Sequence, residues 1–320
     1  MTWAIQASGL RKHYGTLVAV DGIDLSVKEG EVFGFLGPNG AGKTTTIRML
    51  TGLARPTAGS ASVLSYDIRS EVVKAKKAFG VVPENSNLYD ELTALENLVF
   101  MGRLYGVPRQ QCLRRAEELL ALFRLTDKRD TRFASLSRGM KRALTVAAAL
   151  VHQPRLLFLD EPTVGLDVVN ARQLRAVVGQ LNRDGTTVFL TTHYLEEADV
   201  LCDRIAILNQ GRIVTSGTPT ELKASVKAEP ACTVRFSPMP RDAAAELKQR
   251  ECVREVEVTA QGLRLRGPSL PRLTELVYSY AQEKSLQIEF ISSHELSLED
   301  AFVQLTSLSP DVMLAEKGSG

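Results

Sequence analysis

The chain has 320 residues, of which 44% are hydrophobic and 24% charged, a mix that excludes intrinsic disorder, collagen-like repetition and a fibrous coiled coil. Its 39 Lys and Arg against 37 Asp and Glu leave a net charge of +2, so global charge points neither to nucleic acid nor to an anionic-membrane coat, and any anion site must be local. The length suits one large domain with an appendage.

From Ile5 to about Thr57, short apolar runs (DLSV, then EVFGFLG) end in turn residues and lead through a Gly-rich bend into the helix-like TTTIRML. A second alternation runs from RLLFLD (155–160) through a helical stretch near 170–183 to TTVFLTTH (186–193), the order of parallel strands joined by crossover helices. The fold class is therefore α/β. Between the two alternations, 92–150 reads as nearly all helix and opens with a Thr93-x-x-Glu96 capping box, which predicts an inserted helical subdomain over about 85–152.

After Leu222 the joint KASVKAEPA precedes a strand CTVRFS, a helix RDAAAELKQR, a hairpin EVEVT-AQ-GLRLRG, a helix LPRLTELVYSYAQEK and a strand LQIEFISS. That β-α-β-β-α-β order predicts a small ferredoxin-like α+β domain over 223–308, following a first domain over 1–222. Ser297-x-x-Asp300 caps its last helix, SLEDAFVQLT, and the tail 309–320 is expected to be disordered. The cysteines Cys112, Cys202, Cys232 and Cys252 form no CxxC pair and are read as packing residues in a reducing compartment. No apolar run reaches the roughly 18 to 20 residues of a membrane-spanning helix, and no secretion signal is visible. The expectation is a chain on the cytoplasmic side.

Gly37, Pro38, Asn39, Gly40, Ala41, Gly42, Lys43 and Thr44 match GxxxxGK[ST] between the apolar strand VFGFL and a helix, the setting of a phosphate-binding loop. Its glycines let backbone N–H groups converge on phosphate oxygens, Lys43 adds charge at the β- and γ-phosphates, and Thr44 can ligate Mg²⁺. With Thr45 next on the helix, these are the candidate nucleotide-binding residues. LLFLDE ends a buried-strand pattern in two carboxylates. Asp160 is the candidate for holding Mg²⁺ through water, and Glu161 for orienting and deprotonating the attacking water.

RKHYG with Tyr14, LSRGM (136–140), TVGLD ending at Asp167 and TTH ending at His193 follow in order. On these segments the chain resembles the ATP-binding cassette (ABC) family over roughly residues 3–220. The resemblance implies that Tyr14 stacks on adenine, that Ser137 and Gly139 contact the γ-phosphate bound by a second copy, with Asp167 among the nucleotide-site residues, and that His193 hydrogen-bonds the γ-phosphate. It also implies ATP and Mg²⁺ as cofactors, hydrolysis at a head-to-tail dimer interface, and separate membrane-spanning permease subunits as partners. The chain departs from the common pattern at Glu84, where the family has Gln, and at Arg138, Met140 and Val164. Glu84 can still bind Mg²⁺ or its waters through oxygen but cannot donate an amide N–H. Arg138 either reaches the opposite nucleotide or faces solvent.

LSRGMKR, Glu84 and the SLEDAFVQLT ending resemble the drug- and ion-exporting bacterial branch. The implied function is a peripheral ATPase subunit at the cytoplasmic face of the membrane, pairing with itself or a homologous subunit, that drives export of a drug, lipid, polysaccharide or ion. The segment 85–100, with Tyr89 and Leu92, is where the resemblance puts the groove for the membrane partner. A nucleic-acid machine is disfavoured by neutral charge and by the absence of zinc cysteines, and no nucleic acid is expected. A P-loop kinase needs neither Glu161 as base nor LSRGM, and a nucleotide switch without turnover is separated by an ATPase assay.

Overall fold

The computed structural model describes residues 2–226, 229–294 and 297–306, so the tail expected from 309 lies outside the described residues. The chain forms two compact units, one ending at Pro219 and the other beginning at Thr220. In chain order the first contains β1 (Trp3–Tyr14), β2 (Leu17–Lys28), β3 (Val32–Leu36), α1 (Lys43–Leu50), β4 (Ala58–Val63), β5 (Tyr66–Asp67), α2 (Val72–Lys76) and β6 (Phe79–Val82). There follow α3 (Ala94–Leu104), α4 (Arg109–Leu122), α5 (Arg138–Leu150), β7 (Leu156–Asp160), α6 (Val168–Arg183), β8 (Thr187–Thr192), α7 (Leu195–Leu201), β9 (Arg204–Asn209) and β10 (Arg212–Gly217). A short α8 (Pro219–Ala224) spans the division between units.

The central sheet has the order β10-β9-β3-β8-β7-β6, parallel except for β10 at its edge. Every residue of β3, β7 and β8 is buried, as continuous apolar runs in a sheet covered on both faces require. Across one face run Phe33, Phe189, Phe158 and Phe79, with neighbouring ring centroids 5.4 to 5.8 Å apart. Each ring is fully or almost fully buried, and each burial stabilises by about 1.5–3 kcal/mol. The same cluster includes Ile47, Met49 and Leu50 of α1 and the inward residues of β1, β2 and β4.

The strands β2-β1-β4-β5 form a separate antiparallel sheet, which the sequence reading passed over as short apolar runs. β1 pairs with β2 along its whole length, but its register shifts between Ala7 and Leu10 and again on either side of Lys12. These bulges break the period-two alternation that marks a strand in sequence. The helical insert is as expected: α3, α4 and α5 pack on one another, and the Thr93/Glu96 capping box makes both of its reciprocal hydrogen bonds, at 3.2 and 2.8 Å.

The second unit holds β11 (Ala231–Ser237), α9 (Ala243–Lys248), β12 (Glu255–Thr259), β13 (Gly262–Arg266), α10 (Leu270–Glu283), β14 (Gln287–His294) and α11 (Leu298–Thr306). Its sheet has the antiparallel order β12-β13-β11-β14, the ferredoxin-like arrangement read from the sequence. Cys232, Val234 and Phe236 of β11 pack with Leu247, Leu273, Val277 and Tyr280 as its core. Leu298, Ala301 and Phe302 of α11 are buried within the chain, and Ser297 and Asp300 cap that helix reciprocally. All four cysteines are free thiols, and Cys112, Cys202 and Cys232 are buried.

Candidate active site

Ligands of open α/β sheets bind beyond the carboxyl ends of the strands, and here three adjacent strand ends carry the polar residues. In the sheet, β8 lies between β3 and β7, with Leu36 opposite Thr192 and Asp160 opposite Thr191. The loop after β3 (37–42), the Asp160-Glu161 pair after β7 and His193 after β8 therefore emerge side by side.

The loop 37–42 is glycine-rich for steric reasons. A Cβ on Gly37 would lie 2.2 Å from the carbonyl oxygen of Leu208, and Gly42 has φ 109° with the Ala19 oxygen 2.4 Å from where a Cβ would stand. Gly42 opens α1 without a side-chain cap, which leaves the helix N-terminus for an anion to cap. Asn39 and Gly40 are exposed, Pro38 and Ala41 are buried, and Thr45 is half-buried in the first turn.

Lys43 is 6% exposed. Its Nζ donates to the carbonyl oxygens of Gly37 (2.6 Å) and Pro38 (3.3 Å) and lies 3.1 Å from Glu161 Oε1. Glu161 Oε2 is 2.9 Å from His193 Nδ1. Burial would push the Glu161 carboxyl up, but the His193 hydrogen bond and the Lys43 charge together hold it below its ordinary value. The Glu161 backbone has φ 48°, a left-handed conformation that costs a non-glycine residue on the order of 1–3 kcal/mol and persists only where its surroundings impose it. The imposing contact is Thr191, which accepts the Glu161 N–H through both its carbonyl (3.2 Å) and its hydroxyl (3.0 Å).

Asp160 Oδ1 accepts from Thr191 Oγ1 at 2.6 Å and from Thr44 Oγ1 at 3.3 Å. Burial nevertheless raises its carboxyl above the ordinary value, so a cation at this oxygen would relieve a real cost. The Thr44 hydroxyl and the Asp160 carboxylate make a two-oxygen corner beside the loop. That donor set fits Mg²⁺, which takes one or two protein oxygens and completes its shell with phosphate and water. No cluster of three or more His, Cys, Asp or Glu side chains suited to a metal occurs among the described residues. Glu84, half-buried just past β6, is the third residue proposed for the metal. Its backbone carbonyl accepts from Arg142 at 3.1 Å.

Three contributors escaped the sequence reading. Arg142 of α5 is 8% exposed and donates to the carbonyl oxygens of Asp160 (2.9 Å), Glu161 (3.1 Å), Pro162 (2.8 Å) and Glu84 (3.1 Å), and also to that of Pro83. Burial lowers its pKa to about 10, which leaves it charged at neutral pH. Thr191, and Glu197 with its threonine partners, were likewise missed. The available signals were an Arg opening the apolar half of α5, four residues after Arg138, and two threonines ending a buried strand. Neither signal is specific.

The remaining candidates stand apart from this cluster. Ser137 caps α5, accepting from Met140 N at 3.3 Å, and Asp167 caps α6, accepting from Asn170 N at 2.9 Å; both are exposed. A Cβ on Gly139 would meet Asn170 Nδ2 at 2.6 Å, and one on Gly165 would meet Arg138 Nη2 at 1.8 Å. The LSRGM segment and the 165–170 segment thus abut in one chain, with the exposed Arg138 guanidinium lying over Gly165. Tyr14 ends β1 at 45% exposure with Lys12 Nζ 4.9 Å above its ring.

A family model for ABC transporters matches residues 20–164. Among curated proteins, the chain is 46% identical over 218 residues to the linearmycin resistance ATP-binding protein LnrL of Bacillus subtilis, covering 68% of this chain and 70% of that one. It is 40% identical over 324 residues to the daunorubicin/doxorubicin resistance ATP-binding protein DrrA of Streptomyces peucetius, covering 99% and 97% of the two chains. The Nod factor export ATP-binding protein I of Paraburkholderia xenovorans is 43% identical over 252 residues, covering 77% and 82%. Among solved structures, the ATP-binding subunit of an ABC transporter superposes with a TM-score of 0.65 at 31% identity, covering 69% of this chain and 92% of that one. A dimeric ATP-binding cassette in a post-hydrolysis state with ADP and Pi superposes at 0.63 and 26% identity, covering 67% and 98%.

Proposed function

The chain belongs to the ABC transporter ATP-binding proteins, and from that premise we propose that it hydrolyses ATP between two cassettes to drive export of a substrate through separate membrane subunits. The observation that carries the reading is the line of buried Lys43 and Glu161 with half-buried His193 at the mouth of the phosphate loop, with 3.1 and 2.9 Å between successive partners. A cation, a base and the group that orients the base lie where a terminal phosphate would sit.

In this reading Lys43 exchanges the carbonyls of Gly37 and Pro38 for the β- and γ-phosphates, while backbone N–H groups of 37–45 and the α1 N-terminus hold the phosphate oxygens. That exchange frees Glu161 Oε1, which has no aligned hydrogen-bond donor, to accept a proton from the attacking water. The water oxygen attacks the γ-phosphorus, the bridging P–O bond breaks, and ADP leaves with its electron pair. His193 keeps Glu161 Oε2 fixed and hydrogen-bonds the γ-phosphate. Thr44, Asp160 and Glu84 would hold Mg²⁺, which supplies charge neutralisation at the phosphate oxygens. Tyr14 stacks on the adenine.

Ser137, Gly139 and Asp167 face a second copy, or a homologous subunit, and complete its site. The dimeric relative supports this arrangement, and so does the exposure of Ser137 and Asp167. The membrane partner docks over 85–100, where Tyr89 is 47% exposed and stacks edge-on with Phe100 at 5.0 Å. The half-buried Leu92 lies in the loop that Asn97 braces, through hydrogen bonds from its amide to the Tyr89, Leu92 and Thr93 carbonyls. Among the described residues no helix is long and apolar enough to cross a membrane, and the chain acts as a peripheral subunit at the cytoplasmic face. The resistance and export names of its relatives favour export of a drug-like substrate.

Glu161→Gln tests the reading. Turnover should fall by roughly 10²- to 10⁴-fold while ATP binding survives, measured by phosphate release and by equilibrium nucleotide binding. Turnover within a few-fold of wild type would remove Glu161 as the base.

A further inference from the structure

A second carboxylate lies behind the Glu161–His193 pair, and none of the chemistry above uses it. Glu197 of α7 is 3% exposed. Its Oε2 accepts from Thr163 Oγ1 at 3.0 Å and from Thr192 Oγ1 at 2.9 Å. In the chain these two threonines flank the pair: Thr163 comes two residues after Glu161, and Thr192 immediately precedes His193. Thr192 Oγ1 also accepts from Tyr194 N at 3.0 Å, which fixes the turn that carries the histidine. On the neighbouring position of β8, Thr191 Oγ1 donates to Asp160 and accepts from Glu161 N. The end of β8 is thus tied to the loop after β7 on both faces, directly through Thr191 and through Glu197 on the other side.

We infer that Glu197 is a positioning residue, whose single oxygen Oε2 sets the distance between Glu161 and His193 by holding the hydroxyls of Thr163 and Thr192. The inference rests on the reading of Glu161 as base and His193 as its orienting partner. Stability alone does not account for an acid here. Its Oε1 is buried without a hydrogen-bond partner among the described residues, and an ionised oxygen in that state is expensive. Its carboxyl oxygen does offer an acceptor with lone pairs for two hydroxyls at once. Loosening it leaves both loops in place but lets the base and its partner drift. A displacement near 1 Å can cost on the order of 10²-fold in rate.

The test uses the full-length chain and reads kcat separately from ATP affinity. Glu197→Ala should lower kcat by about 10- to 100-fold with the Kd for ATP within about twofold of wild type, and Glu197→Gln, which keeps an acceptor oxygen, should recover most of the loss. Thr163→Val with Thr192→Val should reproduce the Glu197→Ala loss, and adding Glu197→Ala to that pair should cost little more. The near-isosteric threonine pair carries the test if Glu197→Ala does not yield folded protein. A folded Glu197→Ala or threonine double variant with wild-type kcat would overturn the inference. So would equal losses in kcat and affinity, no recovery by Gln, or additive losses. Wild type and Glu161→Gln run alongside: if these two turn over equally, the reading of Glu161 has failed, independently of Glu197.

Discussion

The chain carries two polar clusters that the fold treats in opposite ways. Around the phosphate loop, Lys43, Asp160 and Glu161 are 6%, 4% and 8% exposed; Lys43 pairs with Glu161 and with backbone carbonyls, Glu161 with His193, and Asp160 with Thr191 and Thr44. Around α5 and α6, Ser137, Arg138 and Asp167 are exposed, and the first and last cap their own helices. Buried polar groups must find partners inside the chain, so the first cluster is organised before any nucleotide arrives. Exposed groups satisfied by water and by helix caps lose little by waiting, so the second cluster is suited to a surface that another chain supplies.

The largest effect that would sharpen this contrast comes from Lys43→Ala. Removing the cation should take turnover down by at least about 10²-fold and weaken nucleotide binding as well, read by phosphate release and equilibrium titration. It also leaves the Glu161 carboxylate buried with only His193 against the cost of burial. Wild-type turnover in this variant would mean that the buried cluster is not where the chemistry occurs.

A smaller effect tests the exposed cluster. Gly165 has φ 72°, and the Arg138 guanidinium occupies the space a Cβ would need. Gly165→Ala should lower stability by about 1–3 kcal/mol in denaturant unfolding. Arg138→Ala in the same chain should return only the part due to the clash, since the backbone strain stays. Full recovery would show that the strain is negligible, and no loss at all would show that this loop simply moves aside.

How much of each cluster can be read from sequence follows from the same contrast. The loop 37–44 and Asp160-Glu161 are legible because each is a short contiguous run at a strand end beside the other, whereas His193, a lone histidine after a strand, is singled out only by the family resemblance. Arg142, Thr191 and Glu197 are not legible, because each works by crossing to a segment distant in sequence: Arg142 reaches the carbonyls after β6 and β7, and Glu197 joins the loops after β7 and β8. Ser137 and Asp167 prove to be helix caps in the structure, yet their proposed function depends on a surface beyond the chain, so only family resemblance suggests it. The β1–β2 sheet was missed for a third reason, the bulges that shift its register.

Within the buried cluster, the two neighbouring acids should respond to pH with opposite signs. Burial raises Asp160 above 3.8, so as pH falls the folded chain takes up that proton before the unfolded one, and stability is gained as pH falls through the raised value. Without nucleotide, Asp160→Asn should therefore be more stable than wild type at neutral pH by about 0.5–2 kcal/mol, and the gap should close on acidification as the wild-type acid neutralises itself. Glu161 lies below 4.5, held there by His193 and Lys43 against burial, so its contribution is present above 4.5 and is lost as pH falls through its lowered value. Glu161→Gln should thus be the less stable variant at neutral pH, with a deficit that closes only in more acidic solution. Thermal melts of both variants across that range check the signs, and parallel curves would mean that the two acids share one environment.

The smallest effect separates what Ser137 does for its own helix from what it does for a second chain. Its hydroxyl accepts from Met140 N, a capping bond that Asn provides about equally well. Ser137→Asn should therefore leave melting and monomer ATP affinity unchanged. If the hydroxyl also donates to the terminal phosphate of a partner's nucleotide, losing that one hydrogen bond should cost about 0.5–1.5 kcal/mol, a roughly two- to tenfold drop in turnover with no change in binding to the isolated chain. Ser137→Ala should show the same drop together with lower stability, because the cap is lost as well. If Ser137→Asn turned over at the wild-type rate, the hydroxyl would be a cap and nothing more. If it weakened ATP binding by the monomer, the two clusters would not be separate within one chain.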